Sequence, residues 1–297
     1  RNGSLVLGLN VAPYADYRGS LDSVTLNASS GQAVLEASAG EFAADKVNAV
    51  KNGLVSVAQN ASLSIADLDT DGTSSVNVEQ SGSLNLTGAA VIAGSVTNAG
   101  SIDAADTLTV SGNWTGAGTI ANNKSITASN WAVSNTINNA KDNSVVTLSS
   151  GTNSLGIVVG GKLVANADFS ADTLRNVKSL SVSSSVDGQI DALAADVITN
   201  AGSLDVKSLT KTQGVDYTQT AGSITVTDNW FANSTLHLNG GTLVRDSLGA
   251  NTATVAGADV DLGSITSETD FTLASGSVSA DRINLTEEGK FTVSGGE

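Results

Sequence analysis

The sequence contains no cysteine and no methionine, one proline, one histidine, and aromatic residues at only 4%. Without Cys there is no disulfide, no thiolate metal site and no thiol nucleophile. With one His and no Cys, no zinc site is expected. Any Ser-His-Asp machinery would have to run through His237, which sits between Leu236 and Leu238 as an outward polar position of a strand. The nucleophile-elbow pattern Gly-x-Ser-x-Gly is absent, as is Gly-Asp-Ser-Gly. Long apolar runs are missing too. The longest weakly polar stretch, residues 88–96, is about half of the ~18 residues that a membrane helix needs, so no membrane insertion of this segment is expected. Positive charge is scarce: 14 Lys and Arg stand against 29 Asp and Glu, for a net charge of −15. Such a polyanion repels nucleic acid and anionic lipid, so neither is expected as a partner.

What is present is small, β-branched and turn-forming. Ser and Thr make up roughly a quarter of the residues, Gly numbers 31, and the apolar residues are mostly Val, Leu, Ile and Ala. This mixture favours short strands separated by tight turns and disfavours helices. The chain starts at Arg1, with no basic and apolar leader, and ends at Glu297, which reads as a piece of a larger protein.

Repetition decides the architecture. The phrase GEFAADKVNAVKNGLVSV begins at Gly40, and GSVSADRINLTEEGKFTV follows the same pattern from Gly276. A shorter signature recurs as SGSLNL at 81–86, AGSLDV at 201–206 and AGSITV at 221–226, with AGSIDA at 99–104 close to it. Apolar-x-apolar places two side chains on one face of a short strand, and the preceding Gly supplies a corner. Each strand has one apolar face that it cannot bury alone. Stacking successive units buries a continuous apolar column. Related glycines recur at 18 to 20 residues, as in Gly100 to Gly118 and Gly202 to Gly222. The reading is therefore an all-β parallel β-helix, one β-solenoid domain over 1–297 with an irregular or cut amino-terminal stretch at 1–39. Roughly 15 turns would fit, a rod of roughly 70 Å at the sheet spacing. Leu84, Leu86, Val206, Ile224 and Val226 face inward in this scheme. The rival is an antiparallel sandwich or barrel, suggested by hairpin-type Asn-Gly pairs at 2–3, 52–53 and 239–240. It gives no reason for distant segments to repeat. A short loop is expected at 135–143 and an inserted segment near 193–195.

The runs VTNAGSIDAADTLTVSGNWTGAGTI at 96–120, ITNAGSLDV at 198–206 and TQTAGSITV at 218–226 resemble the passenger domains of Gram-negative autotransporters and related filamentous haemagglutinin-type exoproteins. The resemblance implies a right-handed parallel β-helix at the bacterial cell surface or in the extracellular space, held at the outer membrane through parts of the protein not present here. It implies an adhesin or structural stalk. The partners would be a host cell surface, matrix protein or glycan, or further copies of the chain, and no enzyme activity is expected. Two alternatives stay open. One is a surface-layer-type structural protein with calcium-dependent assembly. The other is a glycan-active β-helix enzyme, which needs clustered carboxylates or a carboxylate beside Lys or Arg. Arg245-Asp246 and Asp259-Val-Asp261 supply such pairs.

Two features carry chemistry. The three Trp residues follow Asn, and each precedes Thr by five residues: Trp114 before Thr119, Trp131 before Thr136, Trp230 before Thr235. Either Trp114 and Trp131 stack in adjacent turns as packing, or exposed rings form a sugar-stacking platform. Asp67-Leu-Asp69-Thr-Asp71-Gly72 alternates carboxylates before a Gly, as the start of a calcium loop does. The twelfth position is Val78 rather than Glu, so Asp67, Asp69 and Asp71 are candidates for a simpler calcium turn or an acidic solvated corner. No cofactor is required.

Overall fold

A computed structural model of the chain describes residues 3–7, 18–228, 234–248, 252–267, 270–285 and 289–297. Every regular element among these residues is a β-strand, and the strands pair in parallel. They stack as a β-solenoid of about 13 turns. The parallel register rules out the antiparallel sandwich. Asn52 and its neighbour Lys51 have positive φ (66° and 51°), so this Asn-Gly site turns the chain onto the next face of the same coil and forms no hairpin. By internal contacts the chain divides into two compact units, Arg1–Gly161 and Lys162–Glu297, where the sequence reading has one domain.

Three ladders run through the first unit, and each is a column of one inward position per coil. One column reads Leu35, Val55, Val76, Val96, Trp114 and Val133, all buried. A second reads Leu63, Leu84, Ile102, Ile120 and Ile137. The third reads Val47, Leu68, Ala90, Leu108, Ile126 and Val146. Side chains alternate in and out along each strand, so any apolar-x-apolar pair contributes to two columns at once. In the second unit Leu163, Leu180, Ile198, Tyr217, Leu236, Ala253, Phe271 and Phe291 form a comparable column. The Phe271 and Phe291 rings stack at 5.1 Å and 7°. Leu84, Leu86, Val206, Ile224 and Val226 are all buried, as the repeat predicts.

The coils differ in length, which accounts for the smaller number of turns. Ser101 pairs with Thr119, 18 residues on, whereas Ser62 pairs with Ser83, 21 on. Gly3 pairs with Ala33, 30 on. The described part of the amino-terminal stretch joins the ladders through Gly3–Leu7 and Arg18–Asn27. Pro13, Tyr14 and Tyr17 lie outside the described residues. Two sequence expectations need correction. Ser125–Asn139 is one continuous strand, so the loop expected at 135–143 shrinks to 140–144. Residues 193–195 are buried within Asp187–Asn200. The extra residue lies opposite them, between Leu174 and Val177, where the register shifts.

Corners are held by glycine and by inward amides. A Cβ on Gly100 would stand 2.3 Å from the Gly82 carbonyl oxygen, so only hydrogen fits between coils there. In both Asn-Ala-Gly-Ser phrases the Asn amide nitrogen donates to a carbonyl of the next coil, while Asn98 Oδ1 has no partner among the described residues. Asn98 is fully buried, and its Nδ2 donates to the Thr119 carbonyl at 3.0 Å. Asn200 is fully buried, and its Nδ2 donates to the Ser223 carbonyl at 2.8 Å while its Oδ1 accepts from Gly202 N–H at 3.1 Å. Gln219, the ladder partner of Asn200, donates to the carbonyls of Gly222, Gly240 and Thr242. Its Oε1 accepts from the buried Tyr217 hydroxyl at 2.9 Å. Each amide clamps one coil to the next by satisfying backbone groups that the corner leaves unpaired.

Asn200→Ala removes both bonds and is expected to destabilise the second unit by about 1–3 kcal/mol. Urea unfolding followed by circular dichroism checks this, and an unshifted midpoint would show that the corner amides are dispensable.

Candidate functional site

The tryptophans are core residues. Trp114 is 1% exposed and Trp131 0%. Their rings meet edge to face at 5.4 Å and 88°, a favoured aromatic geometry. Rings so covered cannot stack on a sugar. The two residues are nevertheless not equivalent in the coils. Trp114 pairs with Val133, and Trp131 pairs with Gly112. Thr119 and Thr136, five residues after each Trp, do pair. The coil of Trp114 reaches that Thr through Thr-Gly-Ala-Gly, whereas only Ser-Asn separates Val133 from Thr136, so equal spacing in sequence becomes unequal placement in space. Neither indole N–H has a hydrogen-bond partner among the described residues, a cost that the packing of two buried rings offsets. Trp230 lies outside the described residues.

The three aspartates of DLDTDG do not converge. Asp67 and Asp69 point outward from Ala61–Thr70. Asp67 is spent on Lys46 of the preceding coil, at 2.8 Å. Asp69 is exposed beside Asn48 and Val91 in its ladder. Asp71 stands at the corner, and both its oxygens are engaged by protein donors. Oδ2 accepts from Lys51 N–H at 2.9 Å. Oδ1 accepts from Thr73 N–H, the Thr73 hydroxyl and the Ser74 hydroxyl at 2.8–3.0 Å. The Lys51 N–H above all, followed by the Ser74 and Thr73 donors, holds the Asp71 carboxyl well below the usual carboxylate range. Among the described residues no group of three or more His, Cys, Asp or Glu side chains is placed to hold a metal ion. In this geometry Asp71 is a turn cap.

His237 is half-buried on the outer side of Thr235–Leu238, with Thr218 and Thr254 as its ladder neighbours. No Ser-His-Asp arrangement is built on it in the ladder.

The second unit does gather charged side chains on one outer face. Two open recesses adjoin there at Thr227. One, of about 330 Å³, is lined by Gln189, Asp191, Asp205, Lys207, Thr225 and Thr227. The other, of about 470 Å³, is lined by Thr227, Val244, Arg245, Asp261, Gly263 and Asp281. Successive coils supply these residues. Gln189 pairs with Asp205, Asp205 with Thr225, Val244 with Asp261, and Asp261 with Ser279. The sequence reading singled out Arg245 and Asp261 separately, and the fold brings them to one recess. It missed Asp205, Lys207 and Asp281, since only the coil register reveals them as neighbours. The Asp246 side chain lies outside the described ones. The Arg245 guanidinium donates to the Val226 carbonyl, which orients it across two coils. Val244, in the lining of the second recess, is 71% exposed.

No protein-family profile, no curated protein and no solved structure matches the chain.

Two outcomes are expected from these placements. Trp131→Ala opens a cavity in a fully buried site and should cost about 3–5 kcal/mol in unfolding free energy. Its thermal melt checks this, and a loss within experimental error would put the ring at the surface. Asp71 has a folded pKa below the ordinary 3.8, so its contribution is present above about pH 4 and is lost as the pH falls below that. Asp71→Asn should therefore flatten the fall of melting temperature between pH 4 and more acid conditions. Asp106 and Asp196, whose carboxyls are also lowered, chiefly by Lys124 and Lys211 respectively, maintain the remaining slope. An unchanged acid limb would remove Asp71 from the account.

Proposed function

We propose that this chain is a β-helix passenger displayed on or secreted from a bacterial surface, acting as an adhesin or structural stalk. Binding is spread over outward ladders rather than placed in one enclosed pocket. The observation that carries this reading is the exterior of the coils. Outward positions repeat in register and are mostly small and polar, as in the column Ser62, Ser83, Ser101, Thr119 and Thr136. Within it the Ser101 hydroxyl donates to Ser83 at 3.3 Å, and Asn85 Nδ2 of the neighbouring column donates to Ser62 at 3.1 Å. Some charged residues are tied between coils, as in Lys124–Asp106 at 2.6 Å in the first unit and Lys178–Asp196 at 3.3 Å in the second. Such exposed pairs add little stability and leave a regular hydrated surface. The resemblance to autotransporter passengers rests on phrases whose Asn and Gly residues form coil corners, so it supports the display scaffold more than any particular receptor.

The purified chain, confirmed as a monomer by light scattering, should bind cultured host cells or matrix-coated surfaces when immobilised on beads. Failure to bind either, together with ordered two-dimensional arrays in electron micrographs, would replace this reading with a surface-layer one. Release of sugar products would replace it with an enzyme.

A further inference from the structure

We infer that the paired recesses on the second unit form a groove for a neutral, unbranched glycan chain. This rests on the adhesin reading and names one ligand class and one face for it. The first observation is chemical. Lys46, Lys124, Lys178 and Lys211 each pair with a carboxylate of another coil, whereas Lys51, Lys141, Lys162 and Lys290 have no ion pair with a described carboxylate. Lys207 lies in the groove beside Asp191 and Asp205 yet forms no ion pair with a described carboxylate. Asp205, Asp261 and Asp281 likewise accept no hydrogen bond from a described side chain. These groups are left open to a ligand.

The second observation is the mixture of signs. The lining carries four carboxylates, Asp191, Asp205, Asp261 and Asp281, and two cations, Lys207 and Arg245. A polyanion meets the carboxylates and a polycation meets Lys207 and Arg245, so each suffers like-charge contacts. A sugar hydroxyl both donates and accepts. It can donate to an aspartate and accept from Lys207 or the Gln189 amide without carrying charge into the site. Charge-assisted hydrogen bonds of this kind are the strong ones. Between the two polar stretches the exposed Val244 offers an apolar patch for the C–H face of a pyranose ring.

The third observation is geometric. The polar groups come from successive coils, each set about 4.8 Å beyond the last. Gln189, Asp205 and Thr225 pair in one column, and Val244 pairs with Asp261 in the coils that follow. An extended chain of sugars lying along the coils meets polar side chains on either side of Val244, whereas a compact ligand meets only one recess.

The test is titration calorimetry of the full chain with cellohexaose, chitohexaose and maltohexaose, with polygalacturonate and oligolysine as charged comparisons. At least one neutral hexasaccharide should bind. Asp205→Ala, Lys207→Ala and Asp261→Ala should each weaken it at least tenfold without changing the melting temperature, while Asp67→Ala on the first unit leaves it unchanged. No binding of any of the three, binding unaffected by the groove variants, or tighter binding of either charged polymer overturns the inference. The bead assay separates this from the adhesin reading. Cell or matrix binding that survives a failed hexasaccharide titration leaves adhesion standing and removes only the groove, whereas loss of both removes the parent reading.

Discussion

The structure depends on one constraint: a coil of this chain cannot bury its own apolar face. A short strand such as Ser83–Leu86 has only two inward side chains, and water is excluded from them only when the coil above and the coil below supply the matching positions. Parallel in-register pairing follows from this. Once Leu84 is set against Ile102 and Ile102 against Ile120, every outward residue between them is also fixed in a column. Core and exterior are therefore two readings of a single register.

That register makes the corners the difficult places. Strands satisfy their backbone groups through the ladder, but a corner turns away from it. Gly100 and Gly118 allow the coils to approach closely, since any side chain would strike a carbonyl oxygen of the preceding coil. Asn98, Asn200 and Gln219 place amides inside the core to take up carbonyls that the turn leaves behind. A buried polar side chain is costly unless paired, and here pairing with the backbone of another coil turns that cost into a coil-to-coil clamp. Asn122 extends the same device, donating to Asn139 Oδ1 at 2.7 Å and to the Val145 carbonyl at 3.0 Å.

This division between strand and corner explains what could be read from the sequence. Gly-Ser-apolar-x-apolar announces an inward pair, so the buried state of Leu84, Leu86, Val206, Ile224 and Val226 was legible, as was the parallel solenoid. The inward amides were not. Asn98 looks like a turn residue, and only the register shows its side chain pointing into the core. The Trp motif misled in the opposite direction. Equal spacing to Thr119 and Thr136 suggested equal positions, but two extra residues between Trp114 and Thr119, against those between its partner Val133 and Thr136, broke the equivalence. For the same reason DLDTDG resembled a metal loop. Alternate residues of a strand share one face, but Asp67 met a lysine from the preceding coil and Asp71 met the backbone of its own corner, neither of which the hexapeptide contains.

A groove assembled from successive coils is still less visible in sequence, because its members are separated by whole turns. Asp205, Asp261 and Asp281 belong to different coils and share no motif. The solenoid makes such surfaces easy to vary. An outward residue contacts mainly its ladder neighbours, so replacing it leaves the inward columns intact, and the exterior can change while the scaffold persists. In the first unit outward side chains bond to one another, as Ser62, Asn85, Ser83 and Ser101 do. On the charged face of the second unit Lys207 and its neighbouring aspartates are left unpaired. The fold makes both surfaces from the same strand geometry. What sets the second unit's outer face apart is that its charged groups of both signs line two adjoining recesses, which is why the proposed recognition is assigned there.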